Sequence, residues 1–438
     1  MGHPGDSRPR KHTRRQAAMD GHSRIDGGPR TAVVVGAGIV GLSTAWFLQD
    51  HGVEVTVVDR DDVAAGASWG NAGWISPGLS IPLNEPSVLR YGMRALLDPK
   101  APLHVPFTLD VGLWRFLTQF AAHCTWGAWE RAARANLPLN TECLEAFDTL
   151  TSAGVKAPTI SAPITALFET PKQATGLLKE LRRINESGGH ITYRGIAGEE
   201  LRELAPQASG RIGAGVQLEG QRYIDPGAFT HALADSVRER GGVIRTGFDV
   251  SAIRPHKHAV TLESRSGELI SGNVAVVATG AWLNRLARNK GVRVPVRAGR
   301  GYSFTVPTDR PVPNPVYLPN VRVACTPYRG ALRVAGTMEF QGPDAALDRA
   351  RIEAIVASAR DLLDGVHWDE RTDEWVGPRP VTPDGKPVIG ATAAPGLYVA
   401  GGHGMWGLTQ GPITGRLLAE QIVTGKQPEA LRAVDPLR

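Results

Sequence analysis

The sequence predicts a mixed α/β protein, α+β overall, whose chain alternates between two structural units. Three observations support this prediction. An apolar strand over 31–35 leads through glycines into a helix, and a second strand follows at 53–59. A distant strand over 273–278 is equally apolar, which is typical of a buried parallel sheet. Residues 294–340 instead contain short strands broken by proline and glycine, which indicates an antiparallel sheet.

The composition excludes several classes of protein. Of 438 residues, 42% are hydrophobic and 21% are charged, as in soluble globular chains. The net charge is +6, but +4 of it lies in residues 1–30. We therefore expect a disordered basic tail over 1–29 and no nucleic-acid partner. The 3 cysteines are far apart, which excludes a disulfide framework and a cysteine-based zinc site and favours a cytoplasmic location. No metal site is expected.

The glycines after the first strand have the spacing of a dinucleotide-binding turn. Gly36, Gly38 and Gly41 form the pattern GxGxxG between a strand and a helix, and Ile39 and Val40 lie within it. The first glycine permits the tight turn, the second lets the backbone approach a diphosphate, and the third allows close packing of the helix. Free N–H groups and the dipole at the start of this helix favour an anion.

The acid at the end of the second strand and two later loops extend this candidate site. Asp59 can accept hydrogen bonds from ribose hydroxyls, and Arg60 follows it. A small, glycine-rich loop over 66–73 can pass close to a bulky planar ring, which favours a flavin over NAD; ordinary turn chemistry is the alternative. A second turn follows the strand over 273–278. The candidate residues in these two loops are Ala67, Ser68, Asn71, Ala72, Gly73, Thr279, Gly280 and Trp282.

The C-terminal region adds another glycine-rich loop and a helix. A strand over 397–400 precedes the loop, and we expect the helix to begin at Pro412, since proline suits the first helical position. The dipole of that helix would stabilise negative charge on a reduced flavin. The candidate cofactor-binding residues here are Gly404, Met405, Trp406, Gly407, Leu408 and Thr409.

With these motifs the sequence resembles the FAD-dependent D-amino-acid oxidase superfamily, and within it the bacterial D-amino-acid dehydrogenases. The resemblance covers residues 30–428 and rests on the segments 35–41, 71–73, 76–78, 301–303, 379–385 and 402–407. It implies bound FAD and oxidation of the amine next to a carboxylate, with hydride passing from the α-carbon to flavin N5. Water would hydrolyse the imine to a 2-oxo acid and ammonia. Sarcosine-oxidase-like members attach FAD through a cysteine near 379–384; none lies there, so noncovalent FAD is expected.

The resemblance also implies three catalytic candidates and a division into domains. Arg379 would bind the substrate carboxylate through two parallel hydrogen bonds. Tyr302 would contact the substrate, with structural packing as an equal alternative, and His403 would contact the flavin rather than transfer a proton. The FAD-binding domain would consist of 30–85, 196–292 and 376–430, and the substrate-binding domain of 86–195 and 293–375.

Alternatives concern the substrate, the cofactor and the partners. The runner-up is an oxidase or dehydrogenase of glycine or a secondary amino acid such as sarcosine, hydroxyproline or an opine. Ala324 stands near the position of the substrate tyrosine of glycine oxidase, which argues against glycine. An NAD-dependent dehydrogenase and a basic nucleic-acid-associated flavoprotein also remain open. The electron acceptor is expected to be a quinone or oxygen, and peripheral contact with the inner face of the cell membrane would accompany a quinone.

Overall fold

The computed structural model describes residues 27–88, 103–105 and 108–438. The predicted tail over 1–29 lies outside the described residues, apart from its last three positions. The helices are α1 Ile39–Asp50, α2 Val111–His123, α3 Trp126–Ser152, α4 Pro171–Glu186, α5 Gly198–Leu204, α6 Pro226–Glu239, α7 Leu283–Ala287, α8 Arg349–Ala359, α9 Gly407–Thr424 and α10 Glu429–Arg432. The strands are β1 Thr31–Val35, β2 Glu54–Val58, β3 Trp74–Ile75, β4 Leu103–His104, β5 Ile160–Ser161, β6 Ile164–Phe168, β7 Tyr193–Ile196, β8 Ala214–Leu218, β9 Arg222–Tyr223, β10 Val243–Arg245, β11 Val250–Pro255, β12 Val260–Ser264, β13 Leu269–Gly272, β14 Val274–Val277, β15 Arg297–Val306, β16 Val316–Leu318, β17 Val323–Tyr328, β18 Ala331–Phe340, β19 Thr372–Val381, β20 Val388–Ala391 and β21 Leu397–Gly401.

The first sheet carries the glycine turn, and its strand order is β10-β2-β1-β14-β21-β20. Its pairs are parallel except for the edge pair of β20 with β21. Alternate residues of β1 enter different cores, since successive side chains of a strand point to opposite faces. Val34 packs in the core that contains α1 and α9, whereas Val33 packs against the small sheet β11-β12-β13. Both faces of this parallel sheet are therefore covered.

The second sheet is mostly antiparallel and has the order β19-β15-β18-β17-β16-β6-β8-β7, with β4 beside β18. One face packs against α8, where Tyr302, Phe304 and Ile355 share a core. The other face meets the first unit: the Ser303 hydroxyl donates to the carbonyl of Gly70 at 2.5 Å. This contact brings the loop over 66–73 under the second sheet.

Sheet membership differs from the predicted domain boundaries at three places. Strand β8 pairs with β6 in the second sheet, although it falls within 196–292. Strand β19 lies in the second sheet, although part of it falls within 376–430. Helix α3, assigned to the substrate-binding domain, packs in the core of the first unit. The chain crosses between the units at positions that local turn signals do not mark.

The apolar stretch over 31–48 forms β1 and most of α1, both buried inside the first unit. Within the described residues, no helix combines the length and apolar character that crossing a bilayer requires.

Candidate active site

The glycine turn has the close approaches that its spacing predicts. Gly36 has φ +115°, and a Cβ there would lie 2.5 Å from the carbonyl oxygen of Ala278. A Cβ on Gly41 would lie 1.9 Å from the Gly36 oxygen. Helix α1 begins at Ile39 and has Gly38 as its N-cap, so its first N–H groups face the turn. The Ile39 N–H is satisfied by the Ser68 hydroxyl at 3.0 Å. Gly36 and Gly38 line the cavity, so no side chain of these two residues separates the turn from a bound diphosphate.

Asp59 lies beside this turn, as predicted. Its Oδ2 accepts from the N–H of Ala37 at 2.7 Å, and its Oδ1 accepts from the N–H of Asp61 at 3.0 Å. Burial raises the pKa of Asp59, and these two hydrogen bonds oppose that rise. The backbone therefore orients the carboxylate.

The loop over 66–73 is held by its own asparagine and by the second sheet. The Asn71 amide donates to the carbonyls of Ala67 and Ser68 at 3.1 and 3.2 Å, and its oxygen accepts from the Gly73 N–H at 2.8 Å. The Thr326 hydroxyl donates to the carbonyl of Ala72 at 2.6 Å. The loop therefore has one defined path beside the turn.

The C-terminal helix begins earlier than its proline suggests. Helix α9 begins at Gly407, and Pro412 lies inside it. The prediction that it begins at Pro412 was wrong, because tight packing on α1 favours helix here despite the proline: a Cβ on Gly415 would lie 2.6 Å from the backbone of Ser43. The helix N-terminus is consequently brought to the glycine-rich loop.

One cavity of about 470 Å³ joins these pieces. It extends from Val35 and the glycine turn to the segment over 378–380 of β19. The predicted residues that line it are Gly36, Gly38, Ile39, Val40, Asp59, Arg60, Ala67, Ser68, Asn71, Thr279, Gly280, Trp282, Arg379, His403, Gly404, Met405, Gly407 and Leu408.

Several predicted residues do not line the cavity. Gly41 and Gly73 serve close packing; a Cβ on Gly73 would lie 2.2 Å from the Ile224 oxygen. The Trp406 indole donates to the Ile81 carbonyl at 2.9 Å, and the Thr409 hydroxyl accepts from the Ser76 N–H at 3.1 Å. Together with Ala72, these residues shape the walls from behind.

The side chain of Tyr302 does not line the cavity either. Its side chain is fully buried in the α8-facing core, and its hydroxyl donates to Glu339 at 2.6 Å. Burial and the Glu339 carboxylate raise its pKa. The prediction of a substrate contact was wrong, since neighbouring Ser303, on the opposite face of β15, points toward the first unit.

The sequence reasoning missed the cavity wall over 248–251, together with Arg265 and Arg285. Their placement depends on long-range pairing: the Phe248 N–H donates to the Asp59 carbonyl at 2.8 Å. The sequence predicts a strand over 243–246 after the helix that ends at two glycines. As β10 this strand pairs with β2, so the chain that leaves it must pass the end of β2, and this was the available signal.

Comparison with protein families identifies this arrangement. The family model described as FAD dependent oxidoreductase matches residues 31–421. The chain belongs to the FAD-dependent oxidoreductase family.

The oxidoreductase has relatives that cover almost all of its length. It is 31% identical to a D-amino acid dehydrogenase of Vibrio vulnificus over 420 residues, which is 93% of this chain and 99% of the relative. It is 33% identical to a D-amino acid dehydrogenase of Cereibacter sphaeroides over 406 residues, 91% of this chain and 92% of the relative. Glycine oxidase from Geobacillus kaustophilus has the same fold, with a TM-score of 0.70 at 20% identity over 94% of this chain and 98% of that one.

The cavity residues of the oxidoreductase fit FAD. The bare turn at Gly36 and Gly38 would hold the diphosphate, and Asp59 the adjoining ribose. The buried hydroxyl of Thr279 lines the cavity without a hydrogen-bond partner among the described residues, so a ligand can bond it. The start of α9, with Gly407 and Leu408 in the cavity wall, would lie against the flavin ring. None of the three cysteines lines this cavity, so noncovalent binding remains the expectation.

His403 of the oxidoreductase is built to stay neutral. Its Nε2 shares a hydrogen bond with the Thr414 hydroxyl at 2.9 Å, and burial lowers its pKa to about 4. His403 lines the cavity, and its contact with the cofactor stays a prediction.

The lowered pKa of His403 predicts a pH-dependent stability. In the unfolded chain this group titrates near its ordinary value of 6.5. Between about pH 7 and pH 5 the unfolded state gains a proton that the folded state does not, so stability is lost as the pH falls. We expect His403→Gln to remove about 2 kcal/mol of that loss. Urea unfolding of wild type and His403→Gln at pH 7 and pH 5 measures this difference. An equal loss of unfolding free energy in both proteins would contradict the lowered pKa of His403.

Proposed function

We propose that this oxidoreductase oxidises D-amino acids at the carbon that bears the amine, and that Arg379 binds their carboxylate. The relatives named D-amino acid dehydrogenase, which cover more than nine-tenths of the chain, support the substrate class. The proposal depends on one observation: the Arg379 guanidinium lies in the wall of the FAD cavity without an acidic partner among the described residues.

Arg379 lies in the cavity wall without an acidic partner among the described residues. Its Nη1 donates to the carbonyl of Thr337 at 2.6 Å, and no carboxylate pairs with it. Burial lowers the pKa of its guanidinium to about 10, with no charged group opposing that effect. A half-buried cation without a counter-charge is costly, and a substrate carboxylate would supply that charge.

The second sheet makes room for the guanidinium. A Cβ on Gly301 would lie 2.0 Å from Cζ of Arg379, so the side chain lies directly across this glycine of β15. The absence of a side chain at 301 therefore fixes where the carboxylate can bind. Orientation of the substrate would be the main contribution of these residues.

The remaining chemistry needs little from acids and bases of the protein. FAD, when bound, accepts the hydride from the substrate. His403 is neutral and bonded to Thr414, so at pH 7 it is not an imidazolium that could act as an acid. Arg379 stays charged and holds the substrate by its carboxylate. Water can then hydrolyse the imine without a dedicated group.

For the electron acceptor we propose a quinone rather than oxygen, because the relatives at 31–33% identity are named dehydrogenases. Steady-state rates with a water-soluble quinone and with air-saturated buffer distinguish the two. A faster reaction with oxygen would contradict this choice and leave the substrate proposal standing.

Anaerobic mixing of the FAD-loaded protein with a panel of amino acids tests the substrate. We expect loss of flavin absorbance with D-amino acids and none with their L-enantiomers, which serve as the matched controls. Reduction by sarcosine, hydroxyproline or an opine alone would overturn the proposal in favour of a secondary amine. Reduction by L-enantiomers would overturn it directly.

A further inference from the structure

Asp344 connects the two units of the fold at the rim of the FAD cavity. It lies between β18 and α8, in the part of the chain that belongs to the second sheet. Its Oδ1 accepts from Nη2 of Arg60 at 2.9 Å and from the Trp282 indole at 3.0 Å. Its Oδ2 accepts from Nη2 of Arg285 at 2.9 Å. One carboxylate thus collects three donors from the opposite unit.

All three donors line the cavity, whereas Asp344 itself stands behind them. Arg60 directly follows Asp59, and its guanidinium lies over the Trp282 ring, 4.1 Å from the ring centre. The side chains of Arg60, Asp344 and Arg285 are 31%, 46% and 56% exposed, which places them at the outer edge of the site. We call Arg60, Trp282 and Arg285 the rim wall.

The segment that carries Asp344 is held by a buried polar network. Nη2 of Arg300, which is 1% exposed, donates to the carbonyls of Ala345 and Ala346 at 2.8 and 2.6 Å. Arg300 in turn pairs with Glu339 at 3.2 Å, and Glu339 accepts the Tyr302 hydroxyl. A buried hydrogen-bonded network of this kind helps to fix geometry. Tyr302 therefore has a role at a distance from the substrate.

We propose that Asp344 is a positioning residue of the FAD site: held by the Arg300 network, it fixes the rim wall in place and slows the release of FAD. The carboxylate does not itself line the cavity, so it acts through Arg60, Trp282 and Arg285. FAD cannot leave past this edge without movement of the wall, and movement of the wall breaks hydrogen bonds to Asp344.

Release of FAD from the loaded protein tests this role. The fluorescence of free FAD is followed after dilution for wild type, Asp344→Ala and Asp344→Asn. Asp369→Asn is the matched control, since its carboxylate is 90% exposed and pairs with Arg360 at 3.2 Å away from the cavity. We expect release about tenfold faster for Asp344→Ala, smaller acceleration for Asp344→Asn, and no change for the control.

Two further readouts separate positioning from a general loss of stability. High salt screens exposed ion pairs, so it should narrow the difference in release rate between wild type and Asp344→Ala. In the double variant Arg60→Ala, Asp344→Ala, the acceleration of FAD release should be smaller than the product of the accelerations in the two single variants, because both substitutions remove the same contact. Unchanged release in both Asp344 variants overturns the proposal. Faster release also overturns the proposal if the FAD-free variant melts at a lower temperature than FAD-free wild type, because a general loss of stability then accounts for the release.

Discussion

Gly38→Val is expected to give a folded protein that no longer retains FAD. Gly38 has φ −85° and ψ 178°, an extended conformation that valine adopts readily, so the backbone is not strained. A Cβ at this position would lie 3.0 Å from the Ser68 hydroxyl, which bonds the Ile39 N–H, and it would add side-chain bulk to the cavity wall where the diphosphate would bind. Gly36 is a poorer choice, because its φ of +115° would strain any side chain.

We expect the affinity of Gly38→Val for FAD to fall by about a hundredfold or more, measured by the ratio of flavin to protein absorbance after purification and by titration with FAD. Gly176→Val is the control, since Gly176 lies in α4 with open space around its Cβ. Circular dichroism of both variants establishes that they fold. A Gly38→Val protein as yellow as the control would remove the turn from the FAD site.

Arg379→Ala is expected to retain FAD and lose most of its activity on amino acids. The substitution removes both charge-assisted hydrogen bonds to the substrate carboxylate, and we expect kcat/KM to fall about a hundredfold or more, mainly through KM. Amino-acid amides, which lack the carboxylate, should be equally poor substrates of both proteins. Arg360→Met is the control, because Arg360 pairs with exposed Asp369 away from the cavity.

Gly301→Ala tests the same binding of the substrate carboxylate by Arg379, with the arginine itself unchanged. Its Cβ would displace the Arg379 guanidinium, so KM should rise while flavin absorbance stays unchanged. Gly195→Ala, in β7 with no atom near the added Cβ, should behave as wild type. Wild-type kinetics in both Arg379→Ala and Gly301→Ala would show that the carboxylate binds elsewhere.

The parts of the site that depend on local chemistry could be predicted from the sequence. The strand, turn and helix over 31–50 are contiguous, and each glycine has a steric reason that its neighbours reveal. Asp225 as the N-cap of α6 is equally local: its Oδ1 accepts from the Ala228 N–H at 3.0 Å. These elements need no knowledge of distant residues.

The parts that depend on strand pairing could not be predicted. Which face of β15 points to the cavity is set by its neighbours, and a shift in register between Arg300 and Tyr302 interrupts its pairing with β18. Tyr302 therefore could not be assigned to a face from its position in the motif. The rim wall depends on Asp344, which lies 284 residues from Arg60. No local pattern relates two such positions.

The strand order of the first sheet also has a consequence for synthesis. Val277 pairs with Val399, and the cavity wall combines the glycine turn after β1 with Gly407, which lies far along the chain from that turn. A ribosome makes proteins from the amino terminus, and contacts between distant segments form slowly. The nascent polypeptide therefore cannot complete this pocket until the segment that contains Gly407 has been synthesised, long after the glycine turn has left the ribosome.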